Sequence, residues 1–159
     1  MQIDLRIEGL ERLQAGVAAA PATLASETRL AMVAGSLLIE GTARTLAPKD
    51  TGRLAGSITH AISGGGANLT SKIGPSVAYG LYVEKGRQPG KPMPPAGAIA
   101  GWAARKGIPA SSLFVLRRAI GRKGIKARPF MKPAFDQNRG AVVARFARIG
   151  VAVVQRMAT

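Results

Sequence analysis

Between Leu10 and Ala47 the chain is rich in alanine, poor in β-branched residues and interrupted by proline only at Pro21, which commits nearly a quarter of it to helix. Pro21 predicts a break, so the reading is a short helix followed by a long one over about residues 22 to 46, stopped by Pro48. Arg29, Ser36, Glu40 and Arg44 make a polar stripe along the long helix and leave Leu24, Ala31, Leu38 and Leu46 to face a core. Glu40 and Arg44 stand at ion-pair spacing. The rest of the chain must pack against this element.

Ahead of it, Ile3, Leu5 and Ile7 alternate with Asp4, Arg6 and Glu8, the period of a short half-buried strand. Behind it come three candidate strands, Leu54 to Ser63, Leu69 to Gly74 and Val77 to Glu84, with the glycines at 64 to 66 as the first turn, an antiparallel meander. The stretch KGRQPGKPMPPAG reads as a surface loop. Two helices follow, near 95 to 106 and 111 to 123, each ending in Arg-Lys-Gly-Ile, at 105 to 108 and 122 to 125. Cations in the last turn and a glycine just past it read as helix-stop chemistry, with a repeated phosphate-binding element as the alternative. A last helix spans about Pro133 to Met157, with Val142, Phe146, Ile149, Val153 and Met157 on one side and Arg145, Arg148 and Arg156 on the other. The order gives an α+β fold. A long helix and a C-terminal helix pack on a small antiparallel sheet, in one domain over 1–159 with a helical insertion near 93–125.

At 159 residues the chain can bury a core without disulfides or metal. Aromatic residues are only 4% of it, so small aliphatic side chains must fill that core. The absence of cysteine and a single histidine, His60, remove thiol chemistry, zinc fingers and Cys-His catalysis, and no metal or cofactor is expected. His60 itself reads as an ordinary sheet histidine. No apolar run approaches the length of a membrane span, and the N-terminus lacks a signal peptide's basic, hydrophobic pattern, so a soluble chain made inside the cell, without a membrane partner, is expected. Through Glu84 seven basic residues balance seven acidic ones; from Lys85 onward sixteen face the single Asp136, so the whole net charge of +15 lies in the second half. Such a field calls for an anionic partner.

Several motifs tempt and fail as chemistry. Asp50-Thr51-Gly52 is the triplet of aspartic proteases, but it follows Ala-Pro-Lys where those enzymes have a buried hydrophobic strand. In the quieter reading Asp50 caps an exposed turn and Gly52 takes a positive φ. Gly86 to Pro92 imitates a phosphate loop, one residue short and with Pro92 in place of the magnesium-binding hydroxyl. No nucleophile-base pair is spaced for catalysis, and the chain is read as a non-enzyme. Arg117, Arg118, Arg122, Lys123, Lys126, Arg128 and Lys132 could hold phosphates, whereas Trp102 and Phe114 are expected in helix cores and no sequence-reading motif is present.

Three ordered segments together resemble one family, the tail-completion or head-tail joining proteins of long-tailed bacteriophages. APKDTGRLAGSI carries the family's turn and strand through Asp50, Thr51 and Gly52. IGPSVAYGLYVEKG carries its hairpin through Tyr79, Tyr82, Glu84 and Gly86. KARPFMKPAF carries Arg128, Pro129, Phe130 and Pro133 ahead of the final helix. The resemblance covers about residues 20 to 157. Gly80 stands where the family often has alanine, a departure expected to be harmless, and the segment near 93–125 enlarges a connection that is short in simpler members.

The resemblance implies a virion protein of the neck: a homo-oligomeric ring, commonly a hexamer, between the head connector and the tail terminator or tail tube, with DNA passing through and no catalysis. On that reading the basic half, through Arg117, Arg118, Arg122, Lys123, Lys126 and Arg128, and the loop carrying Pro89 and Lys91, dock on acidic surfaces of neighbouring rings, with part of the charge facing channel DNA without sequence specificity. Two rivals are a nonspecific nucleic-acid-binding accessory protein of a phage or mobile element, and a proteolytic homodimer built on Asp50.

Overall fold

The computed structural model describes the backbone of residues 10–65 and 68–158; the expected strand at residues 2 to 8 lies outside them. Helix α1 runs unbroken from Leu10 to Leu46 with Pro21 inside it. The break expected at Pro21 is therefore corrected. A proline removes one helical hydrogen bond, and the alanine-rich turns on either side sustain the helix through that loss.

Helix α6, Met131–Ala158, lies along α1. The two run antiparallel, since Gly35 meets Val142 and Thr42 accepts a hydrogen bond from the Asn138 side-chain amide at 2.8 Å. A Cβ on Gly35 would stand 3.2 Å from a Val142 methyl, so the glycine sets how closely the helices approach. Along α1 the covered stripe is Gly35, Ser36, Ile39, Glu40 and Ala43, continued by Ala47 just past its end. This inverts the expected helix face in its middle, while Arg29 and Arg44 of the expected polar stripe are exposed as expected. Ser36 and Glu40 of the expected polar stripe are 2% and 7% exposed, while Leu24, Leu38 and Leu46 of the expected core face stand 37% or more exposed.

The inversion has its cause in the neighbouring elements. Small residues admit a neighbour closely, and the neighbour supplies the partners that buried polar groups need. Strands β1, Ile58–Gly65, and β2, Asn68–Pro75, form an antiparallel hairpin in the register Ile58 to Pro75 through Gly65 to Asn68. Ser71 of β2 meets the Ser36 hydroxyl at 2.6 Å. His60 of β1 meets the Glu40 carboxylate at 2.5 Å, and Arg44 reaches the other Glu40 oxygen at 2.5 Å while also donating to the Ile58 carbonyl. The Glu40–Arg44 pair is present as expected, and His60 is a satisfied sheet residue.

Of the three expected strands only the hairpin forms. Residues Arg53–Gly56 make one helical turn, α2, before β1 begins, and the third segment is helix α3, Gly80–Lys85. Val77 and Val83 pack against the core with Gly80 buried between them. Val77 lies in the turn ahead of α3 and Val83 within it, so both reach the core without forming the strand that their even spacing suggested. The core gathers Ile39, Ala43, Ala47, Leu54, Ile58, Phe130 and Ala134, where α1, β1 and the start of α6 meet.

The insertion folds as expected into α4, Ala96–Arg105, a short 3-10 turn at Ala110–Ser112, and α5, Leu113–Lys123. The two Arg-Lys-Gly-Ile stops differ in kind. At the first, Gly107 (φ 71°) and Ile108 donate to the Ala104 and Ala103 carbonyls, closing a Schellman motif. At the second, Ile125 leaves the helix to pair with Arg87 in both directions, at 2.8 and 2.9 Å. Only Ala103 and Gly121 of α4 and α5 are buried. Trp102 and Phe114, expected in helix cores, are 41% and 56% exposed, because a layer this thin has no interior to hold them.

Among the described residues one helix segment, Pro21–Leu46, could by length and composition cross a membrane, at a mean hydropathy of 1.2, contrary to the expectation that no run approaches a span. The same segment carries the Glu40–Arg44–His60 cluster and the stripe packed on α6 and the hairpin.

Candidate functional site

The three segments that carry the family resemblance meet in space. An α-helix begins with four backbone N–H groups that have no partner inside it. At the start of α6 those positions are Phe130, Met131, Lys132 and Pro133. Glu84, at the end of α3, accepts from the first three at 2.7, 2.9 and 3.0 Å, and Pro133 has no N–H to satisfy. All four positions are accounted for. Partial burial pushes the Glu84 carboxyl up, yet the three backbone donors outweigh it and hold the group below its ordinary value.

Around this cap the chain is pinned at several points. The Arg128 amide donates to the Val83 carbonyl at 2.8 Å. Gly86, at φ 73°, lets the Ile125 carbonyl and Ala127 amide approach where a Cβ would stand 2.6 and 2.8 Å away. Phe130 is fully buried among Leu54 and Ile58 of the first segment, while Pro129 is exposed. Tyr79 and Tyr82 point largely outward, at 43% and 49% exposed, and the Arg87 guanidinium sits 6.0 Å from the Tyr82 ring centre. Gly80 also proves less tolerant than its expected exchange with alanine implies. Its Cβ would fall 2.5 Å from Pro75 Cγ.

Gly52 adopts φ 77° at the turn between α1 and α2, as expected. Asp50 does not cap that turn. Its carboxylate reaches the insertion instead, accepting from Arg105 at 2.7 and 3.0 Å with Lys106 at 3.8 Å, and Thr51 Oγ1 stands 3.4 Å from the Arg53 amide. Asp50 thus clasps α4 to the domain, with no second carboxylate among its described partners.

The expected partner-binding cations separate into different roles. Lys91, Arg118 and Arg122 line one shallow groove together with Gly90, Pro92, Met93, Phe114 and Gly121. The loop is fixed to α5 there by the Gly90 amide donating to the Gly121 carbonyl at 2.9 Å. Arg117 is turned away and half-buried, its Nε donating to the Pro94 carbonyl at 2.7 Å, so it braces the loop. Lys123, Lys126 and Arg128 are exposed outside the groove, as is Pro89. Lys132 pairs with Asp136 at 2.7 Å.

Sequence reasoning missed Arg87, Met93 and Phe114 in this region. Arg87 belongs to an adjoining pocket with Tyr82, Gly86, Gln88, Lys91 and Pro92, donates through its guanidinium to the Pro92 carbonyl, and keeps a buried Nε with no acceptor among the described residues. Its place inside a false phosphate-loop pattern was the only signal it gave. No group of three or more metal-ligating side chains occurs among the described residues. No protein-family model, no curated protein and no solved structure matches the chain.

Proposed function

We propose that this chain is a structural subunit of the neck of a long-tailed bacteriophage. It closes with copies of itself, six by the resemblance, into a ring between the head connector and the tail terminator or tube, through which DNA passes. In this reading it does no catalysis and uses no cofactor. The observation that carries the proposal is the junction at Glu84. Of three segments far apart in sequence, chosen for their resemblance to one family, the second supplies the cap, the third the capped amides and the buried Phe130, and the first the Leu54 and Ile58 side chains in the same core cluster. A coincidental likeness would not need its parts to meet.

Exposed surface supports the ring. Leu24, Leu30 and Leu37 on α1 and Phe135, Val143 and Val151 on α6 are 47% or more exposed, an apolar load that burial against neighbours would relieve.

The test is to delete the coding sequence from the phage or prophage and examine lysates by electron microscopy. Separate filled heads and finished tails, rejoined by supplying the protein, are expected; normal joined particles would refute the proposal. The nucleic-acid-binding alternative would use the exposed Phe114 beside Arg118 and Arg122. That reading requires tight, salt-sensitive DNA binding by the free chain.

A further inference from the structure

The groove between the proline-rich loop and α5 combines four features. Its cations, Lys91, Arg118 and Arg122, face no carboxylate among the lining residues. Its apolar members, Met93 and Phe114, are 42% and 56% exposed. It adjoins the buried, acceptorless Nε of Arg87 through the shared residues Lys91 and Pro92. At ≈ 360 Å³ it is at the small end of ligand-sized clefts, room for a few side chains.

The described residues of a second copy are poorly suited to fill it. The described acids are already engaged: Glu40 with Arg44 and His60, Asp50 with Arg105 and Lys106, Glu84 with the α6 amides, Asp136 with Lys132, and Glu27 in an interaction of its own. Whatever neutralises the groove brings negative charge other than these five acids. A nucleic-acid strand fits less well than a peptide. Strand binding uses successive stacking platforms along a basic track, and the groove offers one ring, Phe114, while Tyr82 in the adjoining pocket lies under the Arg87 guanidinium. Methionine beside a single aromatic ring is an adaptable apolar seat for an aliphatic or aromatic side chain.

We propose that this groove binds an acidic peptide segment with an apolar anchor, presented by a partner protein. The anchor seats on Met93 and Phe114, flanking carboxylates pair with Lys91, Arg118 and Arg122, and one carboxylate supplies the acceptor that Arg87 Nε lacks. That the partner is a protein of the neck rests on the proposed function; the chemistry of the groove does not.

The test uses the full-length, isotope-labelled chain and three probes: a 12-residue peptide of alternating Asp and Glu with a central Leu-Phe, the same peptide with Ser-Ser at its centre, and a 12-nucleotide single-stranded DNA. The Leu-Phe peptide is expected to shift the amide resonances of Lys91, Phe114 and Arg118. It should bind at least about fivefold tighter than the Ser-Ser peptide, a preference that Phe114→Ala abolishes while the chain stays folded by circular dichroism. Arg118→Glu with Arg122→Glu should abolish binding of both peptides. Equal binding of the two peptides, DNA binding tighter than either, or shifts confined to other surfaces would overturn the proposal. Because this test needs no phage particle, its failure is separate from failure of the neck assignment.

Discussion

Replacing Glu84 with glutamine keeps the size of the side chain and removes its charge. In the native chain the carboxylate takes three backbone N–H bonds of 2.7 to 3.0 Å at the start of a 28-residue helix. Charge-assisted bonds contribute about 1 kcal/mol more than neutral ones, and a negative group at a helix N-terminus adds roughly 0.3–1 kcal/mol. The amide has a single accepting oxygen, so one or two of the three donors turn to water, which the half-exposed site allows. The sum is about 2 kcal/mol, and for a chain of this length roughly 2–4 °C of Tm per kcal/mol gives a fall of about 4–8 °C at pH 7.

The pH dependence has a fixed sign. The folded carboxyl is held below its ordinary value, so its stabilisation is present above the unfolded pKa of about 4.3 and is lost as pH falls through the folded one. Thermal melts by circular dichroism of Glu84→Gln and the native chain should therefore differ at pH 7 and converge in acid. Equal melting at pH 7, or a gap that widens on acidification, would refute the capping argument.

Other substitutions test separate parts of the account. Gly80→Ala should cost about 1–3 kcal/mol in urea unfolding, since the added methyl overlaps Pro75; an unchanged midpoint would show that α3 yields. Asp50→Asn should change stability by under about 1 kcal/mol and lose that effect at high salt, the behaviour of an exposed ion pair, with no proteolytic activity in either form. Arg118→Glu with Arg122→Glu should retain the native melting curve and block head-tail joining; normal particle yield would remove the groove from assembly. Arg117 is left out of that pair because its bond to Pro94 braces the loop.

The parts of the fold legible in sequence were those decided by neighbours along the chain. Pro95 and Gly107 bound α4, Gly124 ends α5, and Ile58, His60 and Ile62 alternate into the hairpin, each through local backbone or period-two logic. The parts that failed were decided by distant partners. Ser36 and Glu40 are buried because Ser71 and His60 arrive across the hairpin, and no pattern within α1 announces that. The Val77–Glu84 segment alternates like a strand yet folds as a turn and the short helix α3, and the Glu84 link to α6 crosses forty-six residues to Phe130. For the site, the cluster of cations was visible as charge, but its division into a brace at Arg117 and a groove at Lys91, Arg118 and Arg122 depends on where the proline-rich loop lies. Phe114 was assigned to a core because sequence shows that a ring is apolar and not how thin its layer will be.

The central claim is membership of the neck, and the most direct measurement is quantitative mass spectrometry of purified particles from the phage or prophage encoding this chain, scaled to the head and tail-tube proteins. The account predicts a constant, low, ring-sized copy number in intact particles. Absence of the chain from intact, infectious particles would contradict it.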